Sequence, residues 1–440
     1  MRVFLLLPLT VSGLTWTQET PTDTEEPWPP GHNIPEQQAA AALEEMGATW
    51  NDKVTWQRRR QRIRQHVLDE LQLSPPPERT DLRPVIHSRI EHDDYAVSNV
   101  YFESFPGFYV TGNLYEPLGR QGLIPVIVAP HGHKRRSADN PEGRMQHDYQ
   151  KLCGTLARMG ALVFTWDMVG WGENGQMEHQ VPDAGAIQTW NTIRAIDFAT
   201  SLPRADRTKV AATGSSGGGT QTFLAALVDD RICASAPIVM VSAHWFGGCP
   251  CESGLPLHRG ADFRTNNVEL AACAAPRPQL LVSVGGDWTR NTPGVEFPYL
   301  QRVYAAYGYP ERIHNAHFPD EQHDYGPSKR TAVYAFLARE LDLDVSAVTT
   351  RAGAIDESAV VLRPRNELLA LTGEHALPAT ALQTTQAVLQ AWKALERKVC
   401  DTGARIILPL RPGRGVYGST MGTLLGVDLM SGEEVWRLGE

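Results

Sequence analysis

The sequence predicts an α/β fold, a mostly parallel sheet with helices on both faces. Two observations predict it. From residue 123 onward, short apolar runs of strand length alternate with longer segments of helical pattern. The polar residues suited to chemistry fall just after those apolar runs, at the carboxyl ends of strands, where open parallel sheets place their sites.

The expected strands are 124–129, 161–166, 210–213, 234–241, 279–284 and 312–316, and helical patterns over 147–159, 185–202, 217–228, 295–307 and 327–341 separate them. Strands buried on both faces read as unbroken apolar runs, as these do. Ahead of them, 95–102 and 108–114 alternate, with Pro106-Gly107 as the turn of a hairpin. Residues 36–73 read as helix, closed by Pro75-Pro76-Pro77. That helix carries Arg58, Arg59, Arg60, Arg62 and Arg64 among Trp56, Ile63, Val67, Leu68 and Leu71. The arginines are expected to form a solvated face, not a polyanion site.

At 440 residues, the chain has room for one large domain with additions. Hydrophobic residues at 42% and a net charge of −9 point to a globular protein with no basic surface for nucleic acid. Met1-Arg2 precedes a short apolar run, Val3 to Leu9, and then small and polar residues. This pattern predicts a signal peptide over 1–17, cut near Gly13 or Thr17, and hence a secreted or periplasmic protein. The run is too short to span a bilayer, and no later segment reaches that length. Residues 18–35, rich in Thr, Pro and Glu, read as a disordered leader. The main domain is expected over 36–345, a helical extension over 346–403, and a separate tail over 404–440.

The six cysteines, Cys153, Cys233, Cys249, Cys251, Cys273 and Cys400, are too scattered for a disulfide framework. Cys249-Pro250-Cys251 is a C-x-C without a second pair, so buried small residues are expected there, not a zinc site. A disulfide from one of this pair to Cys273 stays open.

The chemistry centres on Gly214-Ser215-Ser216-Gly217-Gly218. A β-branched run leads in and a helical run follows, so Ser216 sits at the apex of a strand–turn–helix. That geometry exposes a nucleophilic hydroxyl and frees the N–H of Gly217 to face a developing oxyanion. The bland alternative is a serine that caps the helix. Pro130-His131-Gly132-His133 follows the first strand of the alternating series, and its turn, Gly132 and His133, can supply further oxyanion donors. His131 and His133 as a metal pair is the disfavoured alternative. After the next strand come Asp167, expected to cap its loop, and Trp171, expected in the pocket wall with Trp288. Asp287 follows 279–284, and His323 precedes the last helix of the domain. Ser216, Asp287, His323 is the chain order of α/β-hydrolases, unlike other serine hydrolases. Glu252 is the alternative acid, with Asp262 also past strand 234–241.

These stretches, together with 100–115, Asp167-Met168-Val169-Gly170-Trp171-Gly172-Glu173, Gly285-Gly286-Asp287-Trp288-Thr289 and Glu321-Gln322-His323-Asp324-Tyr325-Gly326, resemble bacterial α/β-hydrolases related to acetylxylan esterases. That group borders the dienelactone and glucuronoyl ester hydrolases. The resemblance runs from about residue 45 to about 345. It implies a Ser–Asp–His acyl-enzyme mechanism without metal or organic cofactor, acting on a small-molecule or polysaccharide ester such as acetylated xylan. Glucuronoyl esterases usually place Arg beside the serine; here the neighbours are Ser215 and Gly217. The tail 414–437 resembles a single repeat of a quinoprotein-type β-propeller. The competing readings are a prolyl-oligopeptidase-type serine peptidase, for which 18–120 is too short to hold the usual propeller, and a non-catalytic scaffold. A dehydrogenase built on the tail is the weakest.

Overall fold

A computed structural model describes residues 33–260 and 262–401, with side chains through 395, and three strand segments beyond. The expected signal peptide and nearly all of the leader lie outside the described residues. Nine strands form one sheet: β1 (Val85–Glu91), β2 (Tyr95–Phe105), β3 (Phe108–Pro117), β4 (Ile124–Val128), β5 (Leu162–Trp166), β6 (Ala205–Ser215), β7 (Ile232–Ile238), β10 (Gln279–Val284) and β11 (Ile313–Phe318). A two-stranded ribbon, β8 (Arg259–Gly260) and β9 (Phe263–Arg264), lies between β7 and β10 in the chain. The sheet order is β1-β2-β3-β5-β4-β6-β7-β10-β11. The six strands from β5 to β11 run parallel, and the β1–β3 meander adds antiparallel at one edge. The order reverses about β4, whose neighbours are β5 on one side and β6 on the other, and ligands bind at such switch points.

The helices are α1 (Glu36–Ala48), α2 (Lys53–Glu70), α3 (His147–Arg158), α4 (Ala184–Ser201), α5 (Gly217–Val228), α6 (Pro250–Ser253), α7 (Asn267–Ala272), α8 (Glu296–Tyr307), α9 (Pro327–Leu341) and α10 (Thr385–Asp401). Alternate residues of one strand serve opposite faces. Ile127 packs with Tyr149 and Leu152 of α3 and Val333 of α9. Val126 and Val128 pack with Ile196 and Phe198 of α4 and Ala225 of α5. Helices thus cover both faces, as expected.

Three expectations change. The helix expected over 36–73 is two, because Asp52 accepts from Thr55 N at 2.8 Å and starts α2 with a capping box. The arginine run is only partly solvated. Arg59 pairs with the buried Glu269, Arg60 donates to Cys273 O at 2.8 Å, and Arg64 reaches the last carbonyls of α5 at Leu227 and Val228. These three dock α2 on the domain, while Arg58 and Arg62 stay exposed. The extension is helical only over α10. Before it the chain has two short 3-10 turns, Val345–Val348 and Arg365–Glu367, and otherwise crosses the domain as irregular backbone.

That irregular stretch needs partners for its backbone groups, and a buried polar cluster supplies them. Arg144 is fully buried and pairs with Asp167 at 3.0 Å and Glu173 at 2.5 Å, and donates to Leu368 O at 2.9 Å. Glu173 accepts from Ala370 N and Leu371 N at 2.7 and 2.8 Å. Asn99 donates to the carbonyls of Glu367 and Leu369. Further on, Trp392 of α10 packs on Phe105 and Trp190.

In the tail, β12 (Ile407–Pro409), β13 (Leu424–Val427) and β14 (Glu434–Leu438) form a three-stranded antiparallel sheet. The likeness to a propeller repeat finds no support in these described segments. No helix among the described residues is long and apolar enough to cross a membrane.

Two stability predictions follow from buried charges. Arg144→Ala strands two buried carboxylates and is expected to cost about 3–5 kcal/mol in urea unfolding; a loss below about 1 kcal/mol would show that the cluster holds nothing in place. Burial raises the Glu296 carboxyl from its ordinary 4.5 to about 7, although it accepts from Ala243 N. The native state therefore keeps a proton that the unfolded chain releases. This contribution is full below about pH 4.5 and is lost as pH rises through about 7. Glu296→Gln, always neutral, should remove this fall, on the order of 3 kcal/mol. Unfolding at about pH 5 and about pH 8 measures it; parallel pH slopes for variant and parent would contradict the assignment.

Candidate active site

The first site element is the turn between β6 and α5. Ser216 has φ 57° and ψ −126°, in the left-handed half of the map where a residue with a side chain is strained. The turn is held from several sides. Ser216 N donates to Ile238 O at 3.0 Å, Ser215 N donates to Tyr149 Oη at 3.0 Å, and the same hydroxyl donates to Pro130 O at 2.8 Å. Thr213 Oγ1 bonds Tyr325 Oη at 2.6 Å. The end of β4 lies so close that a Cβ on Gly218 would sit 2.1 Å from Pro130 O. Only glycine fits there, which explains the letter pattern read from the sequence.

The second element follows β10 and β11. His323 Nδ1 and Asp287 Oδ2 are 2.6 Å apart. Asp287 is buried, and its other oxygen accepts from Thr289 N and Thr289 Oγ1, both at 2.6 Å. The carboxylate is thereby aimed at the imidazole, with Nδ1–H donating to it. Trp288 packs on the His323 ring at 4.5 Å and stacks on Trp245 at 4.9 Å. The structure thus joins Asp287 to His323; a hydrogen bond from Ser216 Oγ to His323 is not among those of the described residues.

Ser216 opens into a cavity of about 280 Å³, lined by His133, Arg135, Trp171, Trp245, Glu252 and Trp288 among others. Trp171 and Trp288 stand in its wall. Larger hollows lie between α1 and its neighbours, away from these residues. Gly132 and Gly217 flank Ser216: Gly132 packs on it, and the His133 ring lies against Gly217, where an added Cβ would be 2.3 Å from Cε1.

Several sequence assignments change place. Glu252 is not beside His323. Its Oε1 lies 3.6 Å from His133 Nδ1, and its Oε2 accepts from Gly248 N at 2.6 Å. Asp262 is exposed and pairs with Arg62. Asp167 belongs to the Arg144 cluster and accepts from Thr111 Oγ1 and Glu173 N, which makes it a loop-holding residue as expected. His131 donates through Nδ1 to Gly132 O and accepts from Met168 N at Nε2. Burial pushes its pKa down to about 3, so it is a neutral structural histidine. Cys153, Cys233, Cys249, Cys251 and Cys273 are all free thiols.

The sequence reading missed one grouping. His133, His179, Cys249 and Cys251 converge, with ligand atoms all within 4.8 Å of one another. They come from the loops after β4, β5 and β7, and His179 carries no local motif that marks it. The two cysteines are buried, as expected there, and their neighbours are two imidazoles, a donor set that suits a zinc-type ion.

No protein-family model matches the chain, and no curated protein matches it either. Among solved structures, Methylesterase BT1017 is 36% identical, with a TM-score of 0.73 over 84% of this chain and 82% of that one. A glucuronoyl esterase from Solibacter usitatus is 14% identical, with a TM-score of 0.50 over 66% of this chain and 94% of that one, a likeness of fold. Identity at the first level, across more than four-fifths of both chains, places this protein in the α/β-hydrolase esterase family that includes Methylesterase BT1017.

Proposed function

We propose that the protein is a serine ester hydrolase that cleaves a carbohydrate ester through a covalent acyl-enzyme. The observation that carries this reading is the 2.6 Å contact of His323 with a buried, pre-aimed Asp287, on the same sheet edge as a strained, cavity-facing Ser216. His323 Nε2 takes the Ser216 proton as Oγ attacks the ester carbonyl. Asp287 holds the imidazole tautomer and stabilises the cation that forms. The N–H of Gly217, at the positive end of α5, and those of the Gly132–His133 turn receive the oxyanion. His323 then returns the proton to the leaving alcohol, and water, deprotonated by His323, releases the acid.

A sugar substrate is supported by the cavity wall, where Trp171, Trp245 and Trp288 offer flat faces and Arg135 a single positive charge. The name of the 36% identical relative favours a methyl ester, with methanol leaving and the sugar acid as acyl group. The second reading is removal of acetyl groups, as from acetylated xylan, and rests on the motif resemblance. The apolar run after Met1-Arg2 favours export to the periplasm or medium; a mature N-terminus near Gly13 or Thr17 in the exported fraction would bear this out, and full-length protein in the cytoplasm would contradict it.

The test compares methanol release from a methyl-esterified polyuronate with acetate release from acetylated xylan. Methanol release alone is expected. Acetate release alone would favour deacetylation, and neither, with no fluorophosphonate labelling, would reject the esterase reading. Ser216→Ala should abolish turnover while the circular dichroism stays unchanged. Asp287→Asn should lower kcat about 10⁴-fold; a near-parental rate would place the acid elsewhere.

A further inference from the structure

We propose that His133, His179, Cys249 and Cys251 form a zinc-type metal site that staples three loops around the nucleophile. The four ligand atoms lie within 4.8 Å of one another. Cys251 Sγ is 3.2 Å from His133 Nε2, and Cys249 Sγ is 3.3 Å from His179 Nε2 and 3.9 Å from His133 Nε2. The two sulfurs are 2.7 Å apart, and would spread to about 3.7 Å to bind one tetrahedral ion at about 2.3 Å each. Both thiols are buried, and the two imidazoles are partly so. Two thiolates and two imidazoles make a closed tetrahedral set, as structural zinc sites have, with no position left for water.

The surroundings of the imidazoles point the same way. A metal-bound histidine presents one nitrogen to the ion and gives its other N–H to a carboxylate or a carbonyl. His179 Nδ1 donates to Val169 O at 2.7 Å, which leaves the Nε2 lone pair facing Cys249. His133 Nδ1 faces the buried carboxylate of Glu252 at 3.6 Å, which leaves Nε2 facing the two sulfurs. Glu252, which serves no role at His323, gains one here. Plain thiol packing would not require both rings to turn the same nitrogen inward with an acceptor behind each.

Binding displaces the two thiol protons to solvent, so two thiolates neutralise a divalent ion. The ion would join the loops after β4, β5 and β7. His133 lies against Gly217, so the staple would fix the turn beside the nucleophile. With four protein ligands the ion itself takes no part in ester cleavage.

The test uses the full chain purified without chelator and does not depend on esterase activity. Elemental analysis should find about one zinc per chain, and Ser216→Ala should retain it. After chelator dialysis, added Co²⁺ should give the visible bands of a tetrahedral site and a near-ultraviolet thiolate band. Cys249→Ser and Cys251→Ser should abolish the thiolate band or weaken it, and lower zinc content at least tenfold. Glu252→Gln should weaken affinity about tenfold to a hundredfold. Should the cysteine variants not fold, the parent's cobalt spectrum still decides. A metal-free parent without a cobalt thiolate band would overturn the proposal, as would peptide mapping that finds Cys249 and Cys251 joined as a disulfide. Zinc content that the folded cysteine variants leave unchanged would place the ion elsewhere and also overturn it.

Discussion

The close approach of the β6–α5 turn to the end of β4 is the constraint on which the site depends. Pro130 O sits where a Cβ of Gly218 would be, and Tyr149 Oη bridges Pro130 O and Ser215 N. The left-handed Ser216 is tolerated because this surrounding structure over-determines it. The same contact brings the Gly132–His133 turn beside Gly217. Strain at one residue and the placing of neighbouring backbone donors thus have one cause, the packing of two strand ends.

Around that centre, the sheet works as a fixed frame for loops from different strands. Asp287 and His323 follow β10 and β11, which pair in parallel register, so their side chains emerge from adjacent strand ends. On the other side of Ser216, the loops after β4, β5 and β7 bring together two histidines and two cysteines. Farther out, the Arg144 cluster ties the irregular chain near Leu368–Leu371 to the antiparallel edge. Buried charges of this type are costly unless paired; the guanidinium lies beside both carboxylates, and N–H groups donate to one oxygen of Asp167 and to both oxygens of Glu173.

How much of this was legible in the sequence varied with the range of the interaction. The strand ends, the elbow and the Ser–Asp–His order were readable because each leaves a local mark: an apolar run, a glycine pattern, a polar residue directly after a strand. The antiparallel β1 was missed. Its residues alternate between intermediate and exposed, so it leaves no apolar run. The arginine run misled for a related reason. Spacing alone does not tell a solvated guanidinium from one that reaches a carbonyl at a helix end, as Arg64 does. Glu252 sat plausibly past a strand, and only the path of the loop decided which histidine it faces.

The sequence by itself determined the α/β alternation, the serine turn and the residue types available at the strand ends, because these follow from short-range periodicity and backbone sterics. Tertiary structure decided the partnerships. It joined Asp287 to His323, gave Asp167 to Arg144, and set His133, His179, Cys249 and Cys251 face to face. The physical reason is that a strand fixes where its own loop begins, whereas the neighbour of that loop is set by sheet order. That order, with β4 between β5 and β6, is a property of the whole packed core and of no single segment.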